Sequence, residues 1–168
     1  MPFSQQISFP CELTLHETKA GLRLFRQPVA ELDRLHQKEA KFSNRRLKPG
    51  EVFPLASAGE LFRIKAEVSI PEGAKLTFNL RGFPVVLDSK NVNAGTGPHP
   101  VQGTVQTVEI LVDRASVETF VNQGELSSTR NFQPHGNELS IKAEGGEITI
   151  RSLSVHPLKS IWSDEGRN

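Results

Sequence analysis

Val105 to Val121 reads VQTVEILVDRASVETFV. A run rich in β-branched residues ends at Asp113-Arg114, a short polar turn follows, and a second such run extends from Ser116 to Val121. Asp suits the turn because its carboxylate accepts hydrogen bonds from nearby backbone N–H groups. The stretch therefore predicts a β-hairpin. Its first strand has apolar residues on both faces, since Leu111 opposes Val108, Ile110 and Val112. One face belongs in a core, and an apolar second face is compatible with a contact with another domain.

The same period-two pattern runs outward from the hairpin. Phe62, Ile64, Ala66, Val68 and Ile70 share a face, with Arg63, Lys65, Glu67 and Ser69 on the opposite, wet side. Leu76, Phe78 and Leu80 alternate with Thr77, Asn79 and Arg81, and Leu139, Ile141 and Ala143 repeat the pattern. From Glu147 to Val155 the inward phase slips from Ile148-Ile150 to Leu153-Val155, which predicts a β-bulge near Arg151-Ser152. Pro71-Glu72-Gly73, Asn122-Gln123-Gly124, Pro134-His135-Gly136 and Gly145-Gly146 punctuate the strands.

Many short strands with close turns read as an all-β fold of two stacked antiparallel sheets, jelly-roll or concanavalin-like. The expected inter-sheet core is Phe62, Ile64, Val68, Leu76, Phe78, Leu80, Ile110, Val112, Leu139, Ile141 and Ile150. One short helix is expected at 28–35 (PVAELDRL), opening on Pro28 with Val29, Leu32 and Leu35 on one side. Asn91 to Gly103, rich in Gly and Pro, reads as a surface loop.

A chain of 168 residues fits one domain. Twenty basic and nineteen acidic side chains leave a net charge of +1, no field to attract nucleic acid or an anionic membrane. Cys11 is alone, so no intrachain disulfide or cysteine metal cluster can form. His16, His36, His99, His135 and His156 show no zinc-type spacing and read as isolated histidines; no cofactor is expected. No G-x-S-x-G elbow is present. The N-terminus lacks the charged start and apolar core of a signal peptide, and no apolar run approaches the roughly 20 residues that span a bilayer. The reading is a soluble globular chain. Tyr is absent, which leaves few flat amphipathic rings for stacking on sugars.

Four segments, in order, resemble the C-terminal β-sandwich of glycoside hydrolase family 32, the β-fructosidases. They are ISFPCELTL (7–15), LRLFRQPVAELDRL (22–35), the VDRASVETF hairpin (112–120) and IRSLSVHPLKSIW (150–162). Cys11 stands where that family usually carries Arg. The middle departs further: RGFPVVLDSKNVNAG (81–95) lacks the Tyr of the family's "Y-D" strand. The resemblance implies that residues 1–10 are the remnant of a connection from a catalytic β-propeller, 11–162 the sandwich, and 163–168 a frayed tail. The family's propeller carries its three carboxylates in N-D-P-N, R-D-P and E-C motifs, none of which occurs here. The chain thus resembles a fragment or truncated paralogue of a β-fructosidase.

Asp113 and Glu118 are the carboxylates a hairpin would bring together. Retaining hydrolysis requires such a pair about 5–5.5 Å apart across the glycosidic bond. The plainer reading makes Asp113 a turn former and puts Glu118 on a solvated or interdomain face. Trp162, the single Trp, is expected to pack rather than to serve as a sugar platform. Asp113, Arg114, Glu118 and Trp162 are the expected interdomain or carbohydrate contacts; no catalytic or metal-binding residue is expected. The expected function is an accessory module that stabilises a catalytic propeller. The alternative is a free-standing fructan-binding module, and an autonomous enzyme is the weakest reading. Apolar residues Phe3, Ile7 and Phe9, without the propeller, should fold back on the sandwich or enter a homodimer contact.

Overall fold

The computed structural model describes residues 7–56 and 59–161. Fourteen strands are present among them: β1 (Cys11–Thr18), β2 (Gly21–Pro28), β3 (Ala40–Leu47), β4 (Val52–Ala56), β5 (Phe62–Ser69), β6 (Lys75–Leu80), β7 (Phe83–Leu87), β8 (Asn91–Asn93), β9 (Pro98–Pro100), β10 (Thr107–Val112), β11 (Ser116–Val121), β12 (Leu126–Asn131), β13 (Leu139–Glu144) and β14 (Ile148–Pro157). Twelve of them build two six-stranded antiparallel sheets in the orders β12-β11-β10-β5-β14-β3 and β4-β13-β6-β7-β8-β9, and β1 and β2 pair as a separate two-stranded antiparallel sheet. The quoted stretch is the β10–β11 hairpin, with Val108 opposite Val121 and Val112 opposite Val117.

The inward rows of the two sheets meet in one apolar core, and all eleven core residues expected from alternation are buried in it. The phase slip is real: the β14–β5 register shifts between Ile150 and Ser152. One extra residue there lets Ile148, Ile150, Leu153 and Val155 all reach the core despite their uneven spacing.

One expectation is refined and two are corrected. The segment after β2 is a 3-10 helix, Ala30–Leu35, and Pro28 belongs to β2 instead, opposite Cys11. Spacing by three places Val29, Leu32 and Leu35 on one edge of a helix with three residues per turn, and all three join an apolar cluster. Asn91–Gly103 is not simply a loop, because β8 and β9 extend the second sheet at its edge. Its prolines sit in the outermost strand, where a missing N–H costs no ladder bond. The turn between them uses Gly95 and Gly97 at positive φ, and both N–H groups donate to Asn93 Oδ1.

The second correction concerns the supposed wet face of β5 and the second apolar face of β10. At Arg63 of β5 and Leu111 of β10 the outer face is covered by residues 9–36 of the same chain, while Lys65, Glu67 and Ser69 stay on the solvent side as expected. Leu111, Phe120, Leu32 and Leu158 form a second buried cluster, with Phe9, Cys11, Val29, Leu35 and Leu61 packed against it. Arg63, on the nominally wet side of β5, is therefore buried. Hydrophobic area explains the arrangement: Leu111 and Phe120 would otherwise face water on a sheet whose other face is already in the core. No helix among the described residues is long and apolar enough to cross a membrane.

Candidate functional site

The N-terminal strap, residues 9–36, is held on the outer face of the first sheet at three places. At the first, Glu118 projects from β11 with no exposed surface. Its Oε1 accepts from the Phe9 backbone N–H at 2.7 Å, and Oε2 accepts from Arg26 Nη2 at 2.8 Å and Thr129 Oγ1 at 3.2 Å. Arg26 reaches it because β2 lies over the β11–β12 pair, and its guanidinium also sits 5.4 Å from the centre of the Phe120 ring. At the second place, Arg63 Nη1 donates to Asp33 Oδ1 at 2.5 Å and Nε to Glu109 Oε1 at 2.6 Å. The third joins the strap's end to β14: the His36 and His156 rings stack 3.9 Å apart at 17°.

Both imidazoles titrate below the ordinary histidine range. Burial is the main cause for each; beyond it, His36 is held down by His156 and Arg63, while Asp33 pulls the other way. For His156 the nearby Lys65, Arg63 and Lys41 lower it further against the pull of Glu39, which lies 3.1 Å from Nε2. Its Nδ1 is buried without a partner. Cys11, donating to the Phe9 carbonyl at 3.3 Å, has its thiol pushed up by burial, with Arg26 opposing. The position that departs from the family pattern thus lies beside the Glu118–Arg26 pair, and β2 supplies the cation.

Of the expected site residues, the three that are described, Asp113, Arg114 and Glu118, each have their own partners. Asp113 shapes its turn, accepting from the Arg114 N–H at 2.6 Å, while its own N–H donates to the Ser116 carbonyl. Arg114 Nε donates to Glu60 Oε2 at 3.0 Å. Trp162 and Phe3 lie outside the described residues, as do 163–168. Glu118 is not solvated, because the strap's own Phe9 and Arg26 occupy its oxygens. A cleft of about 790 Å³ opens beside it, lined by Ile7, Leu13, Arg26 and Thr129 among others. Glu118 is the one carboxylate among the described lining residues, and donors hold both of its oxygens. The cleft therefore lacks the pair that acid–base glycoside cleavage requires. No cluster of three His, Cys, Asp or Glu side chains among the described residues is placed to hold a metal.

Sequence reading missed Arg26, Arg63 and the histidine stack. Glu118 carried a signal, as a lone carboxylate between β-branched and aromatic residues, but its partners lie 92 and 109 positions away. His36 and His156 carried none.

The strap also leaves something uncovered. In the β1–β2 hairpin Leu15 stands opposite Leu24, with Leu13 and Leu22 on the same face. These four are 58–67% exposed, and Ile7 beside them is 96% exposed. Ile7 thus does not fold back on the sandwich, whereas Phe9 does.

Residues 84–157 match the sequence family described as "Glycosyl hydrolases family 32 C terminal". Two curated relatives align along the whole chain: a levanase of Bacillus subtilis (strain 168), 28% identical over 96% of this chain, and a levanase of Bacillus sp. (strain L7), 26% identical over 95%. The chain spans only 28% and 21% of their lengths. Among solved structures, an exo-inulinase from Aspergillus awamori superposes with a TM-score of 0.73 at 20% identity, covering 92% of this chain and 36% of that one. A fructan 1-exohydrolase IIa from Cichorium intybus gives 0.67 at 15% identity, over 88% of this chain and 40% of that one. Those two structural matches establish the shared fold.

Two predictions follow from the strap. Replacing Arg26 by Met leaves the buried Glu118 carboxylate without its cation, and the expected loss is about 3–5 kcal/mol. Arg26→Met with Glu118→Met should cost less than Arg26→Met alone. Chemical denaturation of the three proteins measures this, and equal losses would show that the pair is not coupled.

The second concerns pH. The folded imidazoles bind protons less readily than unfolded ones, so the unfolded chain takes up more protons as pH falls below about 6.5. Stability that the neutral stack contributes is fully present above that pH and is lost as pH drops through the lowered folded values. Denaturation midpoints should therefore decline from pH 7.5 to 5, and less steeply in His36→Phe/His156→Phe. Parallel curves for the two proteins would refute this.

Proposed function

We propose that the chain, whose residues 84–157 match the C-terminal family of glycoside hydrolase family 32, is a non-catalytic accessory module of a β-fructosidase. In this reading residues 11–162 are the module and 1–10 its connection to a catalytic propeller that hydrolyses fructan or sucrose. The module stabilises that propeller by covering apolar surface.

The observation that carries the reading is the leucine ladder of the β1–β2 hairpin. Cross-strand aliphatic pairs stabilise a sheet when something packs on them. Here Cys11 and Arg26, at one end of this hairpin face, are taken up by the second apolar cluster and Glu118, while Leu13, Leu15, Leu22 and Leu24 on the same face remain exposed. A contiguous apolar face of this kind marks an interaction surface. The ladder lies on the strand that directly follows the connecting residues, and the relatives' greater length supplies a partner in the same polypeptide. The absence of the family's carboxylate motifs and the single carboxylate of the cleft support a role without catalysis.

The test joins this module to a family 32 catalytic domain and replaces Leu15 and Leu24 by Asp. Surface changes of this kind typically alter a domain's own stability by no more than about 0.5 kcal/mol. The sandwich should therefore unfold as before while the catalytic domain loses heat stability; unchanged heat stability would exclude the ladder as the interface. The isolated chain should self-associate in sedimentation experiments, and the Asp variant should not. It should also release no fructose from sucrose, levan or inulin. Release abolished by Asp113→Asn or Glu118→Gln would overturn the non-catalytic reading.

A further inference from the structure

A second concavity lies on the outer face of the first sheet, beyond the strap, and the docking role makes no use of it. Its floor is formed by β3, β14, β5 and β10, and its volume is about 560 Å³. That lies within the roughly 300–1,000 Å³ usual for small-molecule sites. One wall is Gln27-Pro28 at the end of β2, and it continues into the Gln123-Gly124 turn. This wall is fastened in place. The Arg26 N–H donates to the Gly124 carbonyl at 3.0 Å, and the Gln27 side-chain amide donates to the Gln123 carbonyl. Gly124 has φ +88°, and a Cβ there would collide with the Arg26 carbonyl, so the approach of turn to strand depends on glycine.

The strand register lays side chains across the floor in two rows. Ser154 stands opposite Lys65, and Ser152 stands opposite both Ser43 and Glu67, with Thr107 opposite Glu67 on the far side. None of these six side chains has a hydrogen-bond or ion-pair partner among the described residues, although all line the concavity. Four strands at about 4.8 Å spacing make the floor roughly 14 Å across.

We propose that this trough is a binding site for a short neutral oligosaccharide. The chemistry on the floor fits such a ligand. Hydroxyls of Ser43, Ser152, Ser154 and Thr107 both donate and accept, Lys65 donates and Glu67 accepts, so each can pair with a sugar hydroxyl. Lys65 and Glu67 cancel in charge, and the other nearby charges are already paired: Lys41 with Glu39, and Glu109 with Arg63. An anion gains nothing here. A protein partner would want a buried aromatic or aliphatic anchor at the centre; of the two rings in the lining, Phe120 is 2% exposed and the half-buried Phe42 packs on the core and on Phe53. With neither ring presenting a free flat face, sugars held by hydrogen bonds are favoured over those held by stacking.

The site lies on the sandwich itself, so its test uses this chain alone and does not depend on the docking role. Levan-type fructo-oligosaccharides, inulin-type fructo-oligosaccharides and malto-oligosaccharides of a few residues are titrated separately into isotope-labelled protein. Amide NMR shifts should move around Ser43, Lys65, Thr107, Ser152 and Ser154, with a dissociation constant of the order of 1 mM. Whichever arm binds identifies the sugar. Lys65→Ala/Glu67→Ala should weaken binding at least about tenfold. Ser152→Gln, which fills the trough without adding charge, should do the same, and both variants should retain the native spectrum elsewhere. No shifts with any of the three sugars, shifts confined to the β1–β2 hairpin, or binding that survives both variants would overturn the proposal.

Discussion

A carboxylate with no contact with water has to be neutralised where it stands, and Glu118 is such a group at the centre of the β10–β11 hairpin. Desolvating an ion costs several kcal/mol unless a counter-charge and hydrogen bonds replace the lost water. The core side of the sheet offers neither. The strap offers both, through Arg26 and the Phe9 N–H, so residues 9–36 must cross the outer face of the first sheet. The course of the N-terminal quarter of the chain depends on this pair, and the second apolar cluster makes it worth keeping. Leu111 and Phe120 are buried only because the strap is there.

The same covering creates the two surfaces that carry the functional readings. Once β1 and β2 lie across the sheet with Arg26 directed at Glu118, the leucines on that face further along the hairpin extend past the sandwich edge. Where the strap ends short of β3, its rim at Gln27 and the Gln123-Gly124 turn makes one wall of a trough over open sheet. The ladder is apolar and bare, while the trough carries polar, charge-balanced side chains without partners among the described residues. They call for different kinds of occupant.

The candidate site was only partly legible in the sequence. Asp113 carries its role in its own neighbourhood, because an Asp at a tight turn is a local matter. Glu118 looked like a surface residue since alternation puts it opposite the core, and alternation describes a sheet with two layers of surroundings, not three. Arg63 was misread for the same reason. The histidine stack joins residues 120 positions apart through ring contact, and no periodicity encodes that. The trough is equally hidden: Ser43, Lys65, Thr107 and Ser152 come from four strands and become neighbours only through register.

What the sequence determined by itself was the two-sheet sandwich. Period-two burial is a property of each strand, so Phe62, Phe78, Ile110, Leu139 and Ile150 could be assigned to the core one strand at a time. The slip in the last strand showed its bulge for the same local reason. Only the tertiary structure decided what lies on the outer face of the first sheet. That outcome rests on long-range pairing of a buried charge and on apolar area shared between the strap and the hairpin, and neither leaves a repeating mark along the chain.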